Sequence, residues 1–160
     1  MAANSTGEAF WRFSLTVYSR PQIAEALIAL QDAHGHNVNL VLLGLWLGVC
    51  RAVPLDAAGL AGAQAAIAGL DEAVVLPLRR LRRALKTDPD PEMQALRRRV
   101  LALEIAAERR VQARLAASAP PRGDGSADRA AIAAANLRLI LGADLALPAA
   151  GPLRALIAAF

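Results

Sequence analysis

Gln31-Asp32-Ala33-His34-Gly35-His36-Asn37-Val38-Asn39, running on into Leu40-Val41-Leu42-Leu43-Gly44-Leu45-Trp46, sets the densest polar cluster of the chain against its most hydrophobic run. Asn37 suits a helix N-cap, because its side-chain oxygen can accept from an orphan amide one turn in. Gly35 suits the stop of the preceding helix, since it enters the left-handed region without a Cβ penalty. The stretch therefore reads as helix, tight turn, helix, with Asp32, His34, His36 and Asn39 around the turn. From Leu40 to Cys50 no residue is charged. A helix apolar on every side is buried on every side. Arg51 and Pro54 end the run well short of the ~20 apolar residues that a membrane span needs. It is expected to be the central helix of a bundle, from Asn37 to Val53. Asn39 would then need a partner, because an unpaired buried amide costs ~1–3 kcal/mol.

The remaining composition agrees with that reading. The chain has 160 residues, 56% of them hydrophobic and only 4% aromatic, with Ala and Leu dominant. Apolar and polar residues never alternate over a strand length, so the expected fold is all-α: a single-domain bundle of about seven helices. The one cysteine, Cys50, forms no intramolecular disulfide and reads as a small core residue. The N-terminal segment contains Glu8 and no basic-then-apolar pattern, so no secretory signal is read and the expected location is cytoplasmic. The net charge of +4 is uneven: residues 79–114 hold eleven Arg or Lys against five acids. Arg79, Arg82, Arg83, Arg97 and Arg98 are the expected basic surface, suited to an acidic partner.

In chain order, residues 1–5 are expected to fray, and Thr6 to cap a first helix. Phe10, Phe13 and Val17 share one side of it; Trp11, Leu15 and Tyr18 share the neighbouring side. Pro21 suits a second helix start. Asp56 caps a segment weakened by Gly59, Gly62 and Gly69, each costing ~1 kcal/mol against Ala unless close packing requires it. Asp71 and Glu72 are expected to open a separate basic helix, kinked or begun at Pro77. Asp90-Pro91 starts the longest helix, with Met93, Leu96, Val100, Leu103, Ala107 and Val111 on its apolar face and Glu104 among them. Residues 118–126 are a flexible loop. Ser126 or Asp128 starts a helix through Leu141, and Pro148 opens a short terminal one.

Candidate chemistry centres on polar groups that cannot stay unpaired in such a core. Gln31, Asp32, Asn39, Glu104 and Glu108 are the expected ligand-binding or buried polar network. Trp11, Tyr18 and Trp46 are the expected pocket aromatics. Asp32, His34, His36 and the Glu104/Glu108 pair hold metal-ligating atoms, but bundle metal sites draw Glu-x-x-His motifs from several helices and none is present; no metal and no cofactor is expected. No phosphate loop, Cys-x-x-Cys pair or nucleophile elbow occurs. The helix after Gly35 is too apolar to read DNA, so sequence-specific DNA binding is not expected.

Phe10-Trp11-x-Phe13-Ser14-Leu15-x-Val17-Tyr18, then Leu30-Gln31-Asp32-x-x-Gly35-x-x-Val38-Asn39-Leu40, then Trp46 resembles a proteobacterial family of similar length known as a domain of unknown function. The likeness continues more weakly through Pro77-Leu78-Arg79-x-Leu81-Arg82 and Leu103-Glu104-x-x-Ala107-Glu108. The family pattern has an acidic residue where this chain has His36. The resemblance brings no activity, cofactor or partner; it marks Asp32, Asn39, Glu104 and Glu108 as the polar positions that match. The expected function is a non-catalytic binding or interaction protein with a basic surface, the alternative a small helical enzyme or ligand-binding protein using the buried Asp/Asn/Glu cluster.

Overall fold

A computed structural model describes residues 2–123 and 127–159, the first four of these by backbone alone. Among the described residues the regular elements are all helices. They are α1 (Ala2–Tyr18), α2 (Pro21–His34), α3 (Val38–Arg51), α4 (Ala57–Ala84), α5 (Pro91–Ala117), α6 (Arg129–Leu141) and α7 (Gly151–Ala158), with two short 3-10 turns between α6 and α7. The fold is an all-α bundle.

The turn between α2 and α3 forms as its residues dictate. Gly35 takes a left-handed conformation (φ 71°), its N–H donating to Gln31 O, and the His36 N–H donates to Leu30 O. Asn37 Oδ1 then accepts from the amides of Asn39 at 2.9 Å and Leu40 at 3.4 Å. Every residue from Val38 to Val49 is buried, and α3 packs against α1, α2, α5 and α6. The helix ends two residues before the expected Val53, with Ala52 in the left-handed region (φ 54°).

The closest helix pair is α3 with α6, and two glycines permit it. A Cβ on Gly48 would fall on the backbone of Ala133, and one on Gly44 would meet Ile140. Two of the three glycines flagged by the sequence behave otherwise. Nothing lies within 4 Å of a Cβ built on Gly62 or Gly69, and only Ala63 and Ile67 are buried in that half of α4. Asn136, which carries no signal in the sequence pattern, is fully buried on α6. Its Nδ2 reaches Gly44 O and Val53 O, both at 3.1 Å, and its Oδ1 accepts from Leu55 N at 2.7 Å. One amide thus ties the chain leaving α3 to the helix across from it.

Three local expectations are corrected. Asp71 opens no new helix; α4 runs continuously from Ala57 to Ala84 through a π segment, Asp71–Val75, in which the Leu76 N–H donates to Asp71 O. Pro77 explains the widening: it has no N–H and its ring clashes with the carbonyl four residues back, and an i→i+5 turn relieves both. On α5 the buried stripe is Val100, Glu104, Ala107, Val111 and Leu115, while Leu96 and Leu103 are exposed. The first helix begins at Ala2, upstream of Thr6. The expected loop at 118–126 includes residues 124–126, which lie outside the described set, as does Met1. Asp128, not Ser126, caps α6, accepting from Ala131 N at 2.9 Å.

By length and composition alone, α4 is apolar enough to cross a membrane, a property that the sequence pattern does not assign to it. A single such helix is weak grounds for a span, and among the described residues no other meets that test.

Gly48→Ala should cost about 1–3 kcal/mol through overpacking against Ala133. Gly62→Ala should instead gain up to ~1 kcal/mol of helix propensity. Urea denaturation of the two variants reads both signs. Equal and favourable shifts would show that α3 and α6 are not in backbone contact.

Candidate functional site

Helical spacing puts Trp11, Ser14, Leu15 and Tyr18 on one side of α1. On α5 the same spacing aligns Leu101, Glu104, Ile105, Glu108 and Gln112. These two faces, with Ile28 and Gln31 of α2, Val38 and Asn39 of α3, and Arg79 and Arg82 of α4, enclose an open cavity of about 310 Å³. Its walls are mostly apolar: Leu15, Ile28, Leu101, Ile105 and Tyr18 each keep more than a third of their surface exposed around it.

The polar side has two connected sets. In the first, the Ser14 hydroxyl has Gln112 Oε1 at 2.9 Å and Phe10 O at 3.1 Å, and Gln112 Nε2 donates to Asn39 Oδ1 at 2.9 Å. All three side chains are buried. The second set is ionic. Glu104, 3% exposed, accepts from Arg79 Nε at 3.1 Å and from Arg82 Nε at 2.5 Å and Nη2 at 3.2 Å. Arg79 Nη2 continues to Glu108 Oε1 at 2.7 Å. A lone carboxylate so deep would be prohibitively desolvated, and the two guanidiniums are what make it tolerable.

The two carboxyls are driven apart. Burial pushes Glu104 up, but hydrogen bonds from Arg82 and Arg79 outweigh it and hold its pKa below the ordinary value. Burial also pushes Glu108 up; Arg79 opposes this, yet with one hydrogen bond and Glu104 nearby the pKa stays raised. Tyr18 is pushed up to about 12, first by burial and then by the negative charge of Glu108. Among the described residues its hydroxyl has no hydrogen-bond partner.

Gln31, Asn39, Glu104, Glu108, Trp11 and Tyr18 meet at the cavity; two other expected members do not. Asp32 follows Gln31 by a single residue, ~100° around the helix, and here that step takes its side chain out of the lining. It lies outside, paired with Arg83 and accepting from Gln31 Nε2 at 3.1 Å, and those bonds lower its pKa despite some desolvation. Trp46 is seven residues beyond Asn39, ~10 Å along α3. It stacks on Phe10 at 4.9 Å, with the Arg51 guanidinium 5.0 Å from its ring centre. The expected basic surface is also redistributed: Arg79 and Arg82 turn inward to Glu104, Arg83 pairs with Asp32, Arg97 is half-buried, and Arg98 is exposed. Ser14 and Gln112 join the site without having been expected there. Both fall on cavity faces already marked, Ser14 between Trp11 and Tyr18, and Gln112 one turn past Glu108.

His34 and His36 sit away from the cavity, His36 Nε2 lying 2.9 Å from Asp144 Oδ2 and His34 Nδ1 3.7 Å from it. Among the described residues no group of three or more His, Cys, Asp or Glu is placed to hold a metal ion.

Residues 9–115 match the family described as a protein of unknown function, DUF2390. The chain belongs to that family. All the cavity-lining residues lie inside the matched segment, so the family domain supplies every helix that shapes the site. No curated protein and no solved structure matches the chain.

Tyr18 is the only tyrosine, so absorbance at 295 nm follows it alone. Its midpoint should lie near 12, and Glu108→Gln should bring it down. The raised pKa means the unfolded chain ionises first, so stability should fall as pH rises above ~10. A midpoint at the ordinary value would place the hydroxyl in open water. Glu104 carries the opposite sign. Its contribution is present above the ordinary carboxyl range and is lost as pH drops through its lowered folded pKa. Glu104→Ala should therefore cost about 3 kcal/mol at pH 7 in urea denaturation, and less at acid pH.

Proposed function

We propose that this protein is a non-catalytic binding protein, and that its ligand is a small, largely apolar molecule seated in the cavity between α1, α2, α4 and α5. The observation that carries the reading is the convergence of apolar walls on a floor where the buried amides and the four ionisable side chains are bonded among themselves. Small-molecule sites have this character, mostly apolar with a few placed polar groups, at volumes of roughly 300–1,000 Å³. The cavity stands at the small end of that range.

The chemistry of the lining favours binding over turnover. Ser14 bonds to an amide and a backbone carbonyl, and among the described residues the Tyr18 hydroxyl makes no hydrogen bond to Glu108 or any other base. Neither is an activated nucleophile. The Cys50 thiol lies outside the cavity, and burial pushes its pKa up. The proposal includes no cofactor. A cytoplasmic location belongs to the same proposal; a chain with one cysteine and no intramolecular disulfide suits a reducing compartment.

A second reading, docking of an acidic protein, is favoured by the exposed Arg98, Arg99 and Arg110 on the same helix as the cavity-mouth residues Leu101 and Ile105. Such a partner would cover the mouth without needing the cavity behind it.

Amide NMR with 1-octanol tests the first reading. Shifts should be confined to residues around the cavity and should be lost in Ile28→Trp. Ile28 is 50% exposed, so the larger ring narrows the mouth without disturbing the core. Scattered shifts, or none at millimolar octanol, would sink it.

A further inference from the structure

The charges of the cavity narrow the class of ligand, given the binding reading above. Four ionisable side chains line the site, two basic and two acidic: Arg79, Arg82, Glu104 and Glu108. Each is already paired. Glu104 accepts from both arginines at Oε1 and from Arg82 at Oε2, and Glu108 takes the remaining bonded nitrogen of Arg79. The other polar lining groups, Ser14, Tyr18, Gln31, Asn39 and Gln112, are uncharged. Two further ion pairs lie outside the lining, Arg83 with Asp32 and Arg109 with Glu8. The cavity floor is internally neutral.

We infer that the polar end of the ligand carries no net charge: a hydroxyl or amide on an apolar body, not a carboxylate, phosphate or amine. An entering anion would have to take an arginine from Glu104 or sit against Glu108. A cation would meet Arg79 beside Glu108, the lining carboxylate that keeps an unbonded oxygen. Either ion brings a charge with no counter-charge into a site walled by Leu15, Ile28, Leu101 and Ile105. Burying an unpaired charge costs far more than burying a hydrogen-bonded dipole. A neutral head group has partners ready. Asn39 and Tyr18 line the cavity, and among the described residues neither Asn39 Nδ2 nor the Tyr18 hydroxyl has an acceptor.

The test holds the apolar body constant and varies the charge. Octanamide, 1-octanol, octanoate and octylammonium are titrated at pH 8 and followed by amide NMR. The two neutral probes should bind at least about tenfold tighter than either ion, which corresponds to ~1.4 kcal/mol. Glu108→Gln keeps the shape and the bond to Arg79 but leaves the floor at +1. In that variant octanoate should gain about tenfold relative to octanamide, and octylammonium should weaken. Arg79→Gln is the mirror case, favouring octylammonium. An ion that binds the unmodified protein as tightly as the neutral probes overturns the inference and leaves the cavity reading intact. So does a ranking that both variants leave unchanged. Failure of all four probes to bind overturns both.

Discussion

Glu104 is the constraint around which the site is built. A carboxylate in the buried stripe of α5 is unstable unless cations reach it, and among the described residues those that do come from a single helix, α4. That requirement ties the second half of α4 to the middle of α5. It also gives Pro77 and the π segment a consequence beyond their own turn. A widened turn inserts an extra residue and rotates the downstream half of the helix by ~100°. Val75 is buried after the shift, and Arg79 and Arg82 come after it at i+4 and i+7 on the face toward α5. Buried ion pairs are weak contributors to net stability. Their effect here is on geometry: the arginines are held inward, and one wall of the cavity is set.

The opposite side of the molecule is organised by size and not by charge. Gly44 and Gly48 let α6 approach α3 at backbone distance, and Asn136 spends its amide on the chain leaving α3. This makes α3 a rigid post, buried along nearly its whole length. Asn39 stands at its start, inside the core, where its Oδ1 accepts from Gln112 of α5. The polar chain from Ser14 through Gln112 to Asn39 therefore joins three helices at the base of the cavity. A satisfied buried network of this kind specifies one arrangement of helices, since any other leaves amides unpaired.

The bundle is legible in the sequence because its signals are local. Asn37 capping, the left-handed Gly35, the Asp-Pro start of α5 and the all-apolar α3 each depend on neighbours within a turn or so. Much of the site is legible for a related reason. Trp11 with Tyr18, and Glu104 with Glu108, share helical faces, and polar groups on an otherwise apolar face must meet something. Asp32 and Trp46 escape this logic because neighbourhood in sequence is not neighbourhood in space. A single residue step turns Asp32 out of the cavity, and two helical turns carry Trp46 beyond it. Arg79 and Arg82 read as surface residues because charge runs usually are; nothing within α4 itself records that a buried carboxylate waits on another helix.

The class of fold, the buried central helix with its cap, and the faces on which unusual side chains gather are all properties of the sequence alone. They come from periodicity and backbone chemistry, which act over a few residues. Which of those faces meet is a property of the assembled bundle. Helix α5 pairs Glu104 with arginines more than twenty positions earlier in the chain, and Gln112 with Asn39 more than seventy positions away. Pairing at that range is selected by packing volume and by the need to satisfy buried charge, and neither exists until the helices are packed together.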